Sequence, residues 1–240
     1  MHNNKLKSFV KKIIGQNLTS LLFLIRMRLS KYKACFKIDQ QLEAFMNYDK
    51  GFFVELGAND GVSYSNTYYF EEHRNWLGIC IEPVPENYFK CIFNRKKTTQ
   101  VFPYACVSFA FKNMFVPMIY ANFMSTPLGV ESDIKNKLKH SEAEFPQRKV
   151  KKVVFGAQAK TLNEILISAN APKKIDLLSL DVEGAEIEVL KGVNHNKFRF
   201  HYICIEARNF NKIKKYLIQN NYKFVQKLSP HDYLFVNNKK

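Results

Sequence analysis

The sequence predicts an α/β domain, a mostly parallel seven-stranded sheet with helices on both faces, preceded by a basic helical segment. Three observations lead there. The apolar residues Phe52, Phe53, Val54 and Leu56 run into the glycine turn Gly57-Ala58-Asn59-Asp60-Gly61, the pattern of a buried parallel strand feeding a crossover helix. A second apolar run, Trp76 to Ile81, ends in Glu82-Pro83, with Glu82 21 residues beyond Gly61. Strand-like and helix-like stretches then alternate to residue 236 and close in two consecutive strands, the terminal hairpin that sheet order 3-2-1-4-5-7-6 requires.

A chain of 240 residues with 46% hydrophobic and 14% aromatic content suits one folded domain with an appendage. Its formal charge of +16 is uneven: residues 1–37 hold nine Lys and Arg and no Asp or Glu. Within them Leu6, Phe9, Val10, Ile13 and Ile14 recur at helical spacing, and Leu18 to Ile25 forms a second apolar patch. Neither patch approaches the ~20 residues of a membrane span, and no small-residue cleavage pattern follows. Three roles suit this segment: a helix on its own domain, a contact with a second copy as a homodimer, or an amphipathic rest on an anionic membrane surface. The five cysteines form no C-x-x-C pair, which favours a reducing compartment, hence the cytoplasm and its membrane face, over a zinc framework.

The elements follow in order. Residues 1–49 are taken as the appendage and 50–240 as the domain. Gln40 to Lys50 leads into the first strand, 52–56. Ser63 to Arg74 is the first crossover helix or its approach, its polar start (Ser63, Ser65, Asn66, Thr67) suited to capping. The second strand stops at Pro83, which donates no ladder hydrogen bond. A helix over 85–94 and a third strand over 100–109 come next. Residues 110–149 read as an irregular insertion that covers the site, ending near a strand over 149–155. Thr161 with Glu164 three residues on is a capping box opening a helix. Ile175 to Leu180 is a buried strand whose tip, Asp181-Val182-Glu183-Gly184-Ala185-Glu186, carries three acids in six residues. A helix over 185–191, a strand over 200–206, a helix over 211–219 and strands over 222–227 and 233–236 complete the chain.

The turn after the first strand is G-x-x-x-G, with Asn59 where a dinucleotide fingerprint needs glycine, so a pyrophosphate loop is a poor match. A ligand such as S-adenosylmethionine, with ribose, adenine, an amino-acid tail and a sulfonium, needs backbone room and carboxylates instead. Glu82 stands at the distance where a strand-end carboxylate accepts from both ribose hydroxyls.

Glu-Leu-Gly-Ala-Asn-Asp-Gly at 55–61, Ser-Asn-Thr at 65–67, Gly-Ile-Cys-Ile-Glu-Pro at 78–83 and Leu-Ser-Leu-Asp-Val-Glu-Gly-Ala-Glu at 178–186 together resemble the FkbM-type methyltransferases. The resemblance covers roughly residues 50–236. It implies a class I, Rossmann-like fold, S-adenosyl-L-methionine as cofactor, and O-methylation of a hydroxyl on a sugar, glycan or natural product. It places Glu55, Gly57, Ala58, Asn59 and Gly61 around the methionine part and Glu82 on the ribose, with Ser65 and Asn66 as further contacts. Asp181 and Glu183, beside the methyl group, are the leading candidates for the base or for substrate orientation, with helix capping as their alternative role. Glu206 on the same rim and His231 in the terminal turn complete the candidate catalytic set. A Mg²⁺ site of Asp181, Glu183 and Glu206 is a weaker reading, and no resident metal is assigned. The Asn- or Asp-Pro-Pro-Tyr/Phe motif of amino-methylating nucleic-acid enzymes is absent after 180, so nucleic acid is not the expected partner. A non-catalytic adaptor remains the alternative from another class.

Overall fold

A computed structural model describes residues 30–142 and 153–238. Residues 1–29 of the basic segment and the first part of the strand expected over 149–155 lie outside these. No described helix is long and apolar enough to cross a membrane.

The first half runs α1 (Ile38–Glu43), β1 (Phe52–Leu56), α2 (Tyr68–Arg74), β2 (Leu77–Ile81), α3 (Pro85–Asn94), β3 (Gln100–Phe102), β4 (Tyr104–Val107), β5 (Phe115–Tyr120), β6 (Thr126–Pro127) and α4 (Lys137–Glu142). The second runs β7 (Val153–Thr161), α5 (Leu162–Ser168), β8 (Lys174–Leu180), α6 (Glu186–Leu190), β9 (Arg199–Glu206), α7 (Phe210–Gln219), β10 (Tyr222–Lys227) and β11 (Asp232–Asn237). The main sheet has the order β10-β11-β9-β8-β1-β2-β3. Counted within that sheet alone, this is 3-2-1-4-5-7-6. All its pairs are parallel except those of β11, which is antiparallel to β9 and β10.

Strand side chains alternate between two apolar layers. Val54, Leu56, Leu178, Leu180, Ile203 and Ile205 meet the inner faces of α5, α6 and α7. Phe53, Cys80 and Cys204 face the other layer, with Tyr69, Phe70 and Trp76. Ile38, Leu42 and Met46 belong to that second layer, so part of the expected appendage is core of the domain. Each such fully buried side chain contributes about 1.5–3 kcal/mol. The Thr161 capping box forms as expected: Thr161 Oγ1 accepts from Glu164 N at 3.2 Å, and Thr161 N donates to Glu164 Oε2 at 2.9 Å.

Two expectations change. The third strand is not continuous over 100–109: it breaks at Pro103, β3 ending the main sheet while β4 joins another. Proline has no N–H for a ladder, which makes it a natural point for a strand to leave one sheet for the next. The insertion is also more regular than expected. β4, β7, β5 and β6 form a four-stranded sheet in that order, with β4 parallel to β7 and the other pairs antiparallel. Ala105, Val107, Val116, Met118 and Ala157 form its own small core.

Candidate active site

A cavity of about 250 Å³ lies between the carboxyl ends of β1, β2 and β8 and the second sheet. Its floor is the turn after β1, with Glu82 and the tip after β8; its roof includes Val116, Met118, Phe123 and Val130. Among the described residues, no Lys, Arg or His lines it, while Glu55, Glu82, Asp181 and Glu183 do.

The turn after β1 is shaped by close backbone approach. Gly57 has φ +72, and a Cβ there would stand 1.9 Å from the Asp181 carbonyl oxygen, so only glycine lets β1 and β8 leave the sheet side by side. Gly57 N and Ala58 N donate to the Ile81 carbonyl at 3.0 and 3.2 Å. Gly61 does something else. At φ +83, its missing Cβ leaves room for Cys91 Sγ and Arg95 Cγ, at 3.0 and 3.1 Å. Gly61 therefore seats α3 on the turn and does not line the cavity.

Glu55 is buried and committed. Its carboxylate accepts from Ser65 Oγ at 2.9 Å, from Asn66 N at 3.0 Å, from Thr67 Oγ1 at 2.8 Å and from the Arg95 guanidinium. Arg95, with a fully buried side chain, also pairs with buried Glu71 at 2.8 Å. Ser65 in turn accepts from Thr67 N and Tyr68 N at 3.1 and 3.0 Å, starting α2. Asn66 Nδ2 donates to Ser179 Oγ at 3.0 Å. Ser65 and Asn66 thus line the cavity through a network that ties β1 to α2, α3 and β8.

Glu82 is 5% exposed; its Oε2 accepts from Asn59 N and its Oε1 from Val84 N, both at 2.8 Å. Each oxygen keeps lone-pair capacity for a ligand hydroxyl. Burial pushes its carboxyl up to about 7, against these two amides.

Ligand atoms of Asp181, Glu183 and Glu206 lie within 4.8 Å of one another. Asp181 is open to the cavity, yet its depth below the outer surface raises its carboxyl, followed by the charges of Glu206 and Glu183. Glu206 is raised too, by burial first and then by Glu183, with Arg208 opposing. Glu183, at φ 53, is held by His140 Nε2 at 2.5 Å from α4 and by Arg208 Nη2 at 3.4 Å. Asp181 and Glu206 bear on one another's protonation as a proton-sharing pair, while Glu183 is tied to His140 and Arg208. Glu186, the third acid of the tip, is structural: its Oε1 accepts from Val182 N and Gly184 N at 3.2 and 3.0 Å and closes the loop. Glu206 backs Asp181 from outside the lining. His231 does not reach the cavity; its side chain is exposed, and its carbonyl accepts from Ala207 N at 2.8 Å inside the turn that joins β10 to β11.

The family model described as the methyltransferase FkbM domain matches residues 55–229, from Glu55 near the end of β1 to the turn before β11. The chain belongs to the FkbM methyltransferase family. No curated protein matches it. Among solved structures it is similar to the Methanococcus jannaschii fibrillarin pre-rRNA processing protein, at 14% identity over 80% of this chain and 69% of that one, TM-score 0.43. It is also similar to a SAM-dependent methyltransferase from Aquifex aeolicus, at 10% identity over 88% and 90%, TM-score 0.42.

Within this FkbM domain, sequence reasoning missed Arg95, His140, Arg208, Tyr64 and Phe123. One signal was available for Arg95: Asn87, Cys91 and Arg95 repeat every four residues, and all three are buried on one face of α3 or just past its end. His140 carries no such signal, because α4 meets Glu183 only through the tertiary fold.

Proposed function

We propose that the protein uses S-adenosyl-L-methionine to methylate a hydroxyl of a sugar, surface glycan or natural product. The observation that carries this reading is the sign of the cavity: a chain of net charge +16 lines its site with Glu82, Asp181 and Glu183, beside a Glu55 already paired with Arg95, and, among the described lining residues, no cation. A donor whose sulfonium and ammonium are both positive fits such a lining, and Glu82 and the Gly57 backbone offer the partners that a ribose and an amino-acid tail need. When bound, that group supplies an electrophilic methyl and a thioether leaving group.

The protein's part is placement and proton handling. Glu82 holds the sugar hydroxyls at the tip of β2. Asp181 faces the acceptor and takes its proton, and Glu206, hydrogen-bonded to Asp181, shares that proton. A cation beside the pair favours its ionised form, so the base is readied when the site fills. Glu183, fixed by His140 and Arg208, orients the acceptor hydroxyl.

Transfer of labelled methyl from S-adenosylmethionine into fractionated host glycans and lipids tests the reading; no incorporation into either fraction refutes it. Asp181→Asn is expected to lower the transfer rate by about 10²–10⁴, the worth of a positioned base, with S-adenosylhomocysteine affinity within a few-fold of wild type. An unchanged rate assigns the base elsewhere.

Cofactor affinity should depend on pH through Glu82. Its carboxyl titrates near 7 and accepts from hydroxyls at full strength only when ionised, so affinity rises with pH across that value. Between pH 6 and pH 8 the ionised fraction changes about tenfold, and S-adenosylhomocysteine affinity measured by calorimetry should follow. Glu82→Gln should bind more weakly at pH 8 and show a shallower profile, the remaining slope belonging to Asp181 and Glu206; an equally steep profile in that variant removes Glu82 as a titrating group.

A further inference from the structure

Two aromatic rings meet at the cavity from opposite sides. Tyr64 lies on the loop between β1 and α2, and Phe123 on the 3-10 turn Asn122–Met124 between β5 and β6. Their centroids are 5.0 Å apart at 66°, edge to face, and both residues line the cavity. Tyr64 has φ +60, a left-handed conformation that costs a bulky residue about 1–3 kcal/mol and persists where surrounding structure holds it. Asn122, beside Phe123, has φ +49, a conformation that asparagine tolerates. Tyr64 is pinned by a backbone bridge to Ala34, although the residue stays 41% exposed and outside both main cores.

We infer that Tyr64 and Phe123, packed against each other, form one joined aromatic wall against which an uncharged, hydroxylated ring lies, presenting one of its hydroxyls to Asp181. This rests on the methyl-transfer reading of the same cavity and specifies its acceptor. The apolar C–H face of a sugar ring packs on an aromatic face, and the neighbouring wall of Val116, Met118, Pro127 and Val130 is apolar as well. The charge of the ring is set by exclusion. A phosphate or carboxylate on the acceptor would meet Glu82, Asp181 and Glu183 and, among the described lining residues, no cation with which to pair. The site therefore selects a neutral glycosyl unit over a sugar phosphate or a sugar acid.

The test uses the full chain loaded with S-adenosylhomocysteine, with methyl α-glucopyranoside and glucose 1-phosphate as probes in saturation-transfer NMR. The neutral glycoside should receive saturation from the protein, and the phosphate should bind at least about tenfold more weakly. Tyr64→Ala and Phe123→Ala should each weaken the glycoside roughly three- to tenfold, the worth of one aromatic contact. Tyr64→Phe should not weaken it, and S-adenosylhomocysteine affinity should stay within twofold in all variants. No contact with the glycoside, equal binding of the phosphate, alanine variants that bind as wild type, or losses that track cofactor affinity each overturn the role of this aromatic wall. Labelled methyl transfer is scored separately: a glycoside held against these rings in a protein that transfers no methyl to any acceptor leaves the wall's role standing and refutes the methyl-transfer reading.

Discussion

Arg95→Met is expected to destabilise the protein by about 3–5 kcal/mol, with a fall in melting temperature on the order of 10 °C. The substitution keeps the volume of the stem but removes the one guanidinium that joins Glu55 to Glu71, both buried. Two carboxylates would then face each other across low-dielectric space, and Ser65 and Thr67 would lose the donor they share with Glu55. The loss comes from stranding charges, so a second change should recover part of it. Glu71→Gln placed on Arg95→Met removes one stranded charge and should raise the melting temperature above that of the single variant. A single variant that melts within 2 °C of wild type would show that water or rearrangement satisfies the two acids.

The second large effect is expected at Gly57. Gly57→Ala brings a Cβ to 1.9 Å from the Asp181 carbonyl oxygen and sets an alanine at φ +72. The obstacle is backbone, which no side-chain rotation relieves, so the exits of β1 and β8 must separate. That shift moves Asp181 relative to the floor of the cavity, and a displacement near 1 Å at a site of this kind costs roughly 100-fold. The methyl-transfer rate is expected to fall by about that factor in the labelled-transfer assay. Gly129→Ala is the matched control: φ is +69, with nothing within 4 Å of a Cβ, so it should show only the modest cost of the backbone conformation. Equal damage from the two substitutions would mean that conformation alone, and not the approach of β8, decides the behaviour of Gly57.

The parts of the fold legible in the sequence are those written in local pattern. The apolar run before Gly57, the run before Glu82, the helix over 85–94 and the capping box at Thr161 each depend on residues within a turn or two of one another. The second sheet was not legible because its defining pair is distant in the chain: Tyr104 stands opposite Gln158, and neither neighbourhood hints at the other. The site divides the same way. Glu82 and Asp181 stand at strand tips that periodicity locates. The fate of Glu55 was hidden, because its strand-end position says nothing of an arginine 40 residues later that turns its carboxylate inward. Gly61 shows the same limit, since glycine spacing cannot distinguish room for a ligand from room for a helix.

The break at Pro103 bears on how fast the site can exchange its contents. The roof joins the body at both ends without slack: β3 passes through Pro103 alone into β4, and β7 runs directly into the capped start of α5 at Thr161. Asp133 N donates to the Gly184 carbonyl at 2.9 Å, and Lys212 bridges Glu131 and Asp133, fastening the roof to the tip after β8 and to α7. Among the described residues, a sheet tied this way shows no hinge on which to swing as a unit. Ligand entry and product departure are then left to ring rotations and short-loop motions at the mouth, which run in nanoseconds to microseconds rather than at the pace of domain closure.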